Sequence, residues 1–168
     1  MSSRGRSAGV LPVRRVEGRL EFFLVHPGGP FFAKKDAGVW SVPKGLIDER
    51  DTDELEAAKR ELVEETGLPA PAGPYVDLGT VRQKGGKVVR AFAVAAELDP
   101  AALASNRFEM EWPPRSGERA SFPEVDRAEW MDRETAAARI VAAQAEFLLR
   151  AEAAAGAIFA APDGDERE

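Results

Sequence analysis

The 168-residue sequence contains no cysteine and a single histidine, His26. Without thiols there is no disulfide, thiolate nucleophile, iron–sulfur cluster or cysteine-ligated zinc, and one imidazole excludes paired-histidine metal sites. The lack of disulfides is compatible with a cytoplasmic location, which is the expectation. No run approaches the ~20 apolar residues that cross a bilayer, so a membrane is not an expected partner. Residues 1–10 carry basic side chains but lack the apolar stretch of a secretory signal. Positive charge is also short: 23 Lys and Arg stand against 29 Asp and Glu, a net charge of −6. No bulk positive field is therefore available to hold long DNA or RNA. What the chain has in excess is carboxylate, the oxygen ligand that hard cations such as Mg²⁺ and Mn²⁺ prefer.

The composition, 44% hydrophobic and 31% charged, supplies one core, and the length fits one domain. Neither a repeat nor a Gly/Ser/Pro-rich linker divides residues 1–160, and residues 161–168 read as a frayed acidic tail. Residues 8–16 and 20–26, rich in Val, Leu and Phe, predict neighbouring strands joined at Glu17-Gly18-Arg19. Residues 38–42 form a short apolar segment that runs into Pro43-Lys44-Gly45. Residues 53–66 then change period: Leu55, Ala58, Leu62 and the Thr66 methyl recur at helical spacing, and Gly67 supplies a stop. Residues 75–83 and 87–97 predict a hairpin turning at Gly85-Gly86. Pro113-Pro114 and Ser116-Gly117 predict irregular chain over 106–123. A short strand at 128–131 and a helix over 133–155, broken near Ala143, complete an α/β layered domain.

The residues with chemical promise lie on the predicted helix. At about 100° per residue, Glu54, Glu61 and Glu65 fall within a narrow arc with Glu64 beside them, away from the apolar stripe. Like charges at i,i+4 destabilise an isolated helix by a few tenths of a kcal/mol, about 0.2–0.5, so Glu61 with Glu65 is not a choice made for helix stability. A bound cation reverses that sign. A solvated acidic face is the competing reading, but Glu64 and Glu65 lie in the half of the helix where the dipole disfavours them.

The run over residues 45–68 resembles the Nudix box: Gly, five residues, Glu, seven residues, Arg-Glu, an aliphatic residue, one residue, Glu-Glu, one residue, Gly and an aliphatic residue. Its second half matches without a gap as Arg60-Glu61-Leu62-Val63-Glu64-Glu65-Thr66-Gly67-Leu68. The first half is one residue longer. Counting back from Arg60 places the first acid at Thr52 and counting forward from Gly45 places it at Asp51, so Asp51, Asp53 and Glu54 all stand for that role. The resemblance extends from the strand pair before Pro43 to Phe122-Pro-Glu-Val-Asp-Arg-Ala-Glu-Trp130.

The resemblance implies the Nudix fold, an α/β/α sandwich with a mixed β-sheet between helices, as a single domain over 1–160. It also implies hydrolysis of a pyrophosphate bond in a nucleoside diphosphate linked to another group X, with Mg²⁺ or Mn²⁺ as cofactor. The partner is then a small nucleotide-type substrate, and a homodimer stays open. By resemblance the metal ligands are Glu61, Glu65, Glu64 and the Gly45 carbonyl, and Arg60 orients a carboxylate. The general base is either Glu61 or an acid of a later loop, Glu124 or one of Glu109 and Glu111, with Glu124 favoured by its place before Glu129-Trp130. Lys44, Arg82 and Lys84 are candidate substrate-binding cations, although Lys on an edge hairpin also discourages aggregation. His26 reads as a satisfied strand-end histidine or a substrate contact. Trp40 reads as core, and Trp112 as a ring that could stack on a base. A non-catalytic nucleotide- or partner-binding module is the alternative to the enzyme.

Overall fold

The computed structural model describes residues 5–160; the expected acidic tail at 161–168 lies outside them. Strands β1 (Arg6–Val16) and β2 (Arg19–Pro27) pair antiparallel. Between them Glu17 and Gly18 both take positive φ, 54° and 82°, the two-residue turn whose twist matches that of the flanking strands. A short β3 (Lys44–Leu46) precedes α1 (Glu54–Thr66), and β4 (Tyr75–Arg82) and β5 (Val88–Ala95) form the expected hairpin. Its loop is longer than the two residues expected: the Gln83 N–H donates to the Lys87 carbonyl at 2.7 Å, leaving Lys84, Gly85 and Gly86 between them. The chain continues through β6 (Arg107–Glu111), β7 (Arg119–Pro123), β8 (Val125–Asp132), α2 (Arg133–Arg139), α3 (Ala145–Ala153) and α4 (Ala155–Ile158).

A further expectation is corrected, that of irregular chain over 106–123. Residues 107–123 are a regular antiparallel hairpin, β6 with β7, because Phe108 and Met110 alternate with polar neighbours and the Pro and Gly signals fall in its turn. The apolar segment at 38–42 forms isolated bridges: Ser41 bridges Val25 and Trp40 bridges Ile140, so consecutive residues pair with different elements. The break expected near Ala143 is present: the last helix is interrupted over 140–144, where Ile140 turns extended (ψ 150°) and the Val141 N–H donates to the Trp40 carbonyl.

Among the described residues the main sheet runs β4-β5-β1-β2-β8, with β1 and β5 parallel and the other pairs antiparallel. β3 also pairs with β1, at Ser7, Ala8 and Gly9, so β1 shares one edge between β2 and β3. Helices cover both faces, as the α/β/α expectation requires. Ala57, Ala58 and Leu62 of α1 meet Ala8, Val10, Phe92 and Val94 on one face. Phe147, Leu148 and Ile158 meet Leu11, Val13, Phe22 and Leu24 on the other. Burial of both faces explains why β1 reads as an apolar run rather than an alternation. The junction that places the site is Gly9, where a Cβ would press against the Pro43 carbonyl and the Lys44 side chain. A bare backbone there lets Pro43-Lys44-Gly45 lie close beside β1, next to α1.

Candidate active site

Helix α1 is tightly delimited. Asp53 caps its start by accepting from the Glu56 N–H at 2.8 Å, and Gly67 ends it at φ 72° with its N–H on the Val63 carbonyl, the positive-φ stop that glycine allows without strain. Within these limits Glu61 and Glu65 stand one turn apart on the face toward β3. A Cβ on Gly45 would overlap the Glu61 carboxylate, so glycine is required where the loop crosses the helix. The Lys44 backbone N–H donates to Glu65 at 3.2 Å.

Arg60 organises the acids. Its guanidinium grips Asp51 through two bonds of 2.9 and 2.8 Å, donates to Glu61 at 2.8 Å and to the Leu46 carbonyl at 3.2 Å, and approaches Glu64 at 3.3 Å. Asp51 is thus the acid that meets Arg60. Asp53 serves as the helix cap, and Glu54 pairs with Arg6 at 2.7 Å and Arg90 at 3.1 Å. The extra residue of the box is absorbed by a turn in which the Asp51 N–H bonds the Asp48 carbonyl and the Asp48 N–H bonds the Asp51 carboxylate.

Burial and charge act in opposite directions on these groups. Burial pushes the Glu65 carboxyl up to about 8, against the pull of Lys44 and with further upward pressure from Glu61 and Glu124. Glu61 is raised too, chiefly by burial, with Arg60 opposing. Burial lowers the Lys44 ammonium although Glu65 favours its charge. Hydrogen bonding from Arg60 holds Asp51 below the usual carboxylate range. Glu65 therefore carries a proton at neutral pH when no cation is near, and a divalent ion would displace it.

The donor chemistry suits a hard divalent cation: carboxylate oxygens from Glu61 and Glu65, desolvated before any ligand arrives, beside a backbone left bare at Gly45. Among the described residues no three acids surround a common point. Glu64 is turned toward Arg60 and is half exposed. Two protein carboxylates with water or substrate oxygens make the kind of shell that Mg²⁺ accepts.

A cleft of about 170 Å³ brings Lys44, Glu65 and Glu124 together between Val25, Val39 and Val42. The Glu124 carboxylate makes no hydrogen bond within the described residues, and its backbone is fixed through Gly28 and Asn106. Arg82, the last residue of β4, and Lys84, in the loop that follows, are exposed, with Arg82 donating to the Gly86 carbonyl. Lys87 is the loop cation whose charge reaches Lys44. A larger hollow of about 480 Å³, lined by Arg15, Arg19, Asp132, Arg133 and Glu152, shares no residue with the box. Within it Arg133 pairs with Glu152 at 3.3 Å, and it holds none of the desolvated carboxylates that the smaller cleft shares with the box.

His26 and Trp40 are both fully buried. His26 bonds Asp126 at 2.8 Å and the Lys35 carbonyl at 2.7 Å, and Trp40 donates to Asp36 at 2.9 Å. Sequence reasoning missed Gln144. Buried behind the cleft wall, it accepts from the Val42 N–H and donates to Ser41 and Gln83. The sign was available: one amide within Val-Ala-Ala-Gln-Ala, in a stretch otherwise suited to packing.

Comparison with known proteins agrees with the fold. The model of the NUDIX domain matches residues 3–151, and the chain belongs to the Nudix family. No curated protein matches it. Among solved structures it is similar to the NUDIX domain of Shewanella oneidensis NrtR, complexed with ADP ribose, at 17% identity and a TM-score of 0.61 over 91% of this chain and 89% of that one. It is similar to a C. elegans Ap4A hydrolase binary complex at 21% identity and a TM-score of 0.62 over 90% and 98%. It is also similar to RenU, a Nudix hydrolase from M. Smegmatis, at 21% identity and a TM-score of 0.55 over 94% and 90%. At these identities the likeness is one of fold.

Proposed function

We propose that this protein is a metal-dependent pyrophosphohydrolase that cleaves a phosphoanhydride bond in a nucleoside diphosphate linked to another group X, using Mg²⁺ or Mn²⁺. The observation that carries the reading is the pair Glu61 and Glu65, two desolvated carboxylates one helical turn apart that burial pushes toward their protonated forms and that a bound cation would let ionise together. A bound divalent ion neutralises the anionic oxygens of the pyrophosphate and orients the attacking water.

The residues of the chain have separable tasks. Glu61 and Glu65 would hold the metal with the Gly45 carbonyl, and Glu64, turned toward Arg60, would reach it through water. Arg60, anchored by Asp51, fixes the Glu61 carboxylate in place. Lys44 faces the phosphate across the cleft. Glu124 accepts the proton of the attacking water: it lines the same cleft and its carboxylate is unengaged, whereas Glu61 is tied to Arg60. Arg82 and Lys84 draw an anionic substrate toward an otherwise acidic protein without gripping it.

The test is release of product by purified protein with Mg²⁺ or Mn²⁺ from nucleoside di- and triphosphates, dinucleoside polyphosphates, nucleotide sugars and dinucleotide cofactors. Turnover of at least one, lost in Glu65→Gln, is expected; no turnover of any would end the reading. The longer first half of the box supports a second reading, a non-catalytic nucleotide- or partner-binding module. It predicts that Glu61→Gln and Glu65→Gln leave the biological activity intact.

A further inference from the structure

The chain between β5 and β6 ends in a short strap, Ala104-Ser105-Asn106, that crosses from the C-terminal end of α1 to the start of β8. The Ala104 N–H donates to the Thr66 carbonyl at 2.8 Å and the Asn106 N–H to the Glu64 carbonyl at 3.0 Å. Both carbonyls belong to the last turn of α1, where no partner exists within the helix. Gly67 admits the strap, since a Cβ there would lie 2.6 Å from the Ala104 carbonyl. On its other side the Asn106 carbonyl accepts the Glu124 N–H at 2.8 Å. Asn106 therefore bonds α1, the helix of Glu61 and Glu65, through its N–H, and Glu124 through its carbonyl.

Ser105 is the side chain that locks this crossing. Its hydroxyl donates to the Asn106 carbonyl at 2.9 Å and accepts the Val125 N–H at 3.0 Å. It thus holds both the carbonyl that receives the Glu124 N–H and the N–H that follows Glu124. The sheet leaves that second N–H without an acceptor. β8 is an edge strand, Pro27 stands opposite Val125, and the Gly28 N–H donates to the Glu124 carbonyl at 2.9 Å. In an antiparallel ladder this makes Pro27 and Val125 a non-hydrogen-bonded pair, so the Val125 N–H points away from β2. Val125 is only 4% exposed, and a donor shielded from water at that point needs a partner from the protein.

We propose that Ser105 is the positioning residue of Glu124: through the backbone on either side it fixes the Glu124 carboxylate across the cleft from Glu61 and Glu65, at the separation that proton abstraction from the attacking water requires. Ser105 acts through Glu124 and touches no reacting atom. The proposal rests on the hydrolase reading, with Glu124 as the base, and adds the device that sets where the base stands relative to the metal-binding helix.

The test measures kcat and KM on the substrate that the unaltered protein hydrolyses fastest, with Ser105→Ala, Ser105→Thr and Ser105→Val each made alone and together with Glu124→Gln. Made alone, Ser105→Ala should lower kcat about 10- to 100-fold, the scale of loss when a reacting group is displaced by about 1 Å, with KM and calorimetric Mn²⁺ affinity unchanged. Ser105→Thr, which keeps the hydroxyl, should restore most of kcat, whereas Ser105→Val, which has the shape of threonine without it, should not. Beside Glu124→Gln, Ser105→Ala should lower the residual kcat by less than about twofold, because a residue that acts only through Glu124 then has nothing to position. Equal losses with and without Glu124→Gln would overturn the proposal, since they mark a general loosening of the fold. Full turnover in Glu124→Gln, or a Ser105→Val chain as active as Ser105→Thr, would overturn it as well. Absence of turnover in the unaltered protein strikes the hydrolase reading itself, and the positioning role falls with it.

Discussion

Glu65 is the residue at which folding and function pull apart. Its carboxyl is raised from an ordinary 4.5 to about 8, so between those values the folded state binds more protons than the unfolded state and stability falls as pH rises. The contribution is fully present below about 4.5 and is lost as pH passes 8. In chelator, Glu65→Gln should therefore match the unaltered protein near pH 5 and melt at a higher temperature near pH 8.5. Adding Mn²⁺ should raise the Tm of the unaltered protein and leave the variant unmoved, because only a native-state ligand stabilises by linkage. The same proton must leave when metal binds. Calorimetry in buffers of different ionisation enthalpy should show proton release at pH 7, and metal affinity that increases up to about pH 8. Arg60 acts one step behind. Arg60→Ala leaves Asp51 buried without its partner and frees Glu61, so we expect a loss of about 2 kcal/mol in denaturant unfolding and metal binding weakened roughly 10- to 100-fold.

At the scale of elements, α1 separates caps that hold the helix from glycines that shape the site. Asp53 accepts one N–H of the first turn, and Asp53→Ala should cost about 1 kcal/mol with little change in turnover. Gly45→Ala is the opposite case. The added methyl meets the Glu61 carboxylate, so metal binding and turnover should collapse, while the fold persists by circular dichroism and a raised Tm with metal disappears. The spacing of Glu61, Glu64 and Glu65 was legible in the chain because a helix has a fixed period. The role of Asp51 was not, since the extra residue over 49–53 left Asp51, Asp53 and Glu54 equivalent by counting. Tertiary contacts separated them, one to Arg60, one to the helix end and one to Arg6 and Arg90. The β6–β7 hairpin was obscured for a related reason: proline and glycine in its turn masked the short alternation on either side.

Across the whole molecule the helices of the second face reach the cleft through one buried amide. Gln144 links the Val42 N–H, Ser41 and Gln83, tying the segment before α3 to the cleft wall and to the β4–β5 loop. Gln144→Leu strands those polar groups, and we expect a loss of about 2–3 kcal/mol in unfolding free energy with KM altered more than metal affinity. The sequence by itself determined the helix with its row of carboxylates, the paired strands and the two-sided burial of β1, because periodicity and apolar content are local properties that a fold must satisfy. Tertiary structure alone decided which acid meets Arg60 and that Glu124 shares a cleft with Glu65. These pairs are separated by many residues, and their meeting depends on sheet order and on close backbone approaches at Gly9, Gly28 and Gly45. No periodicity encodes such contacts, since they arise only when separate elements pack against one another.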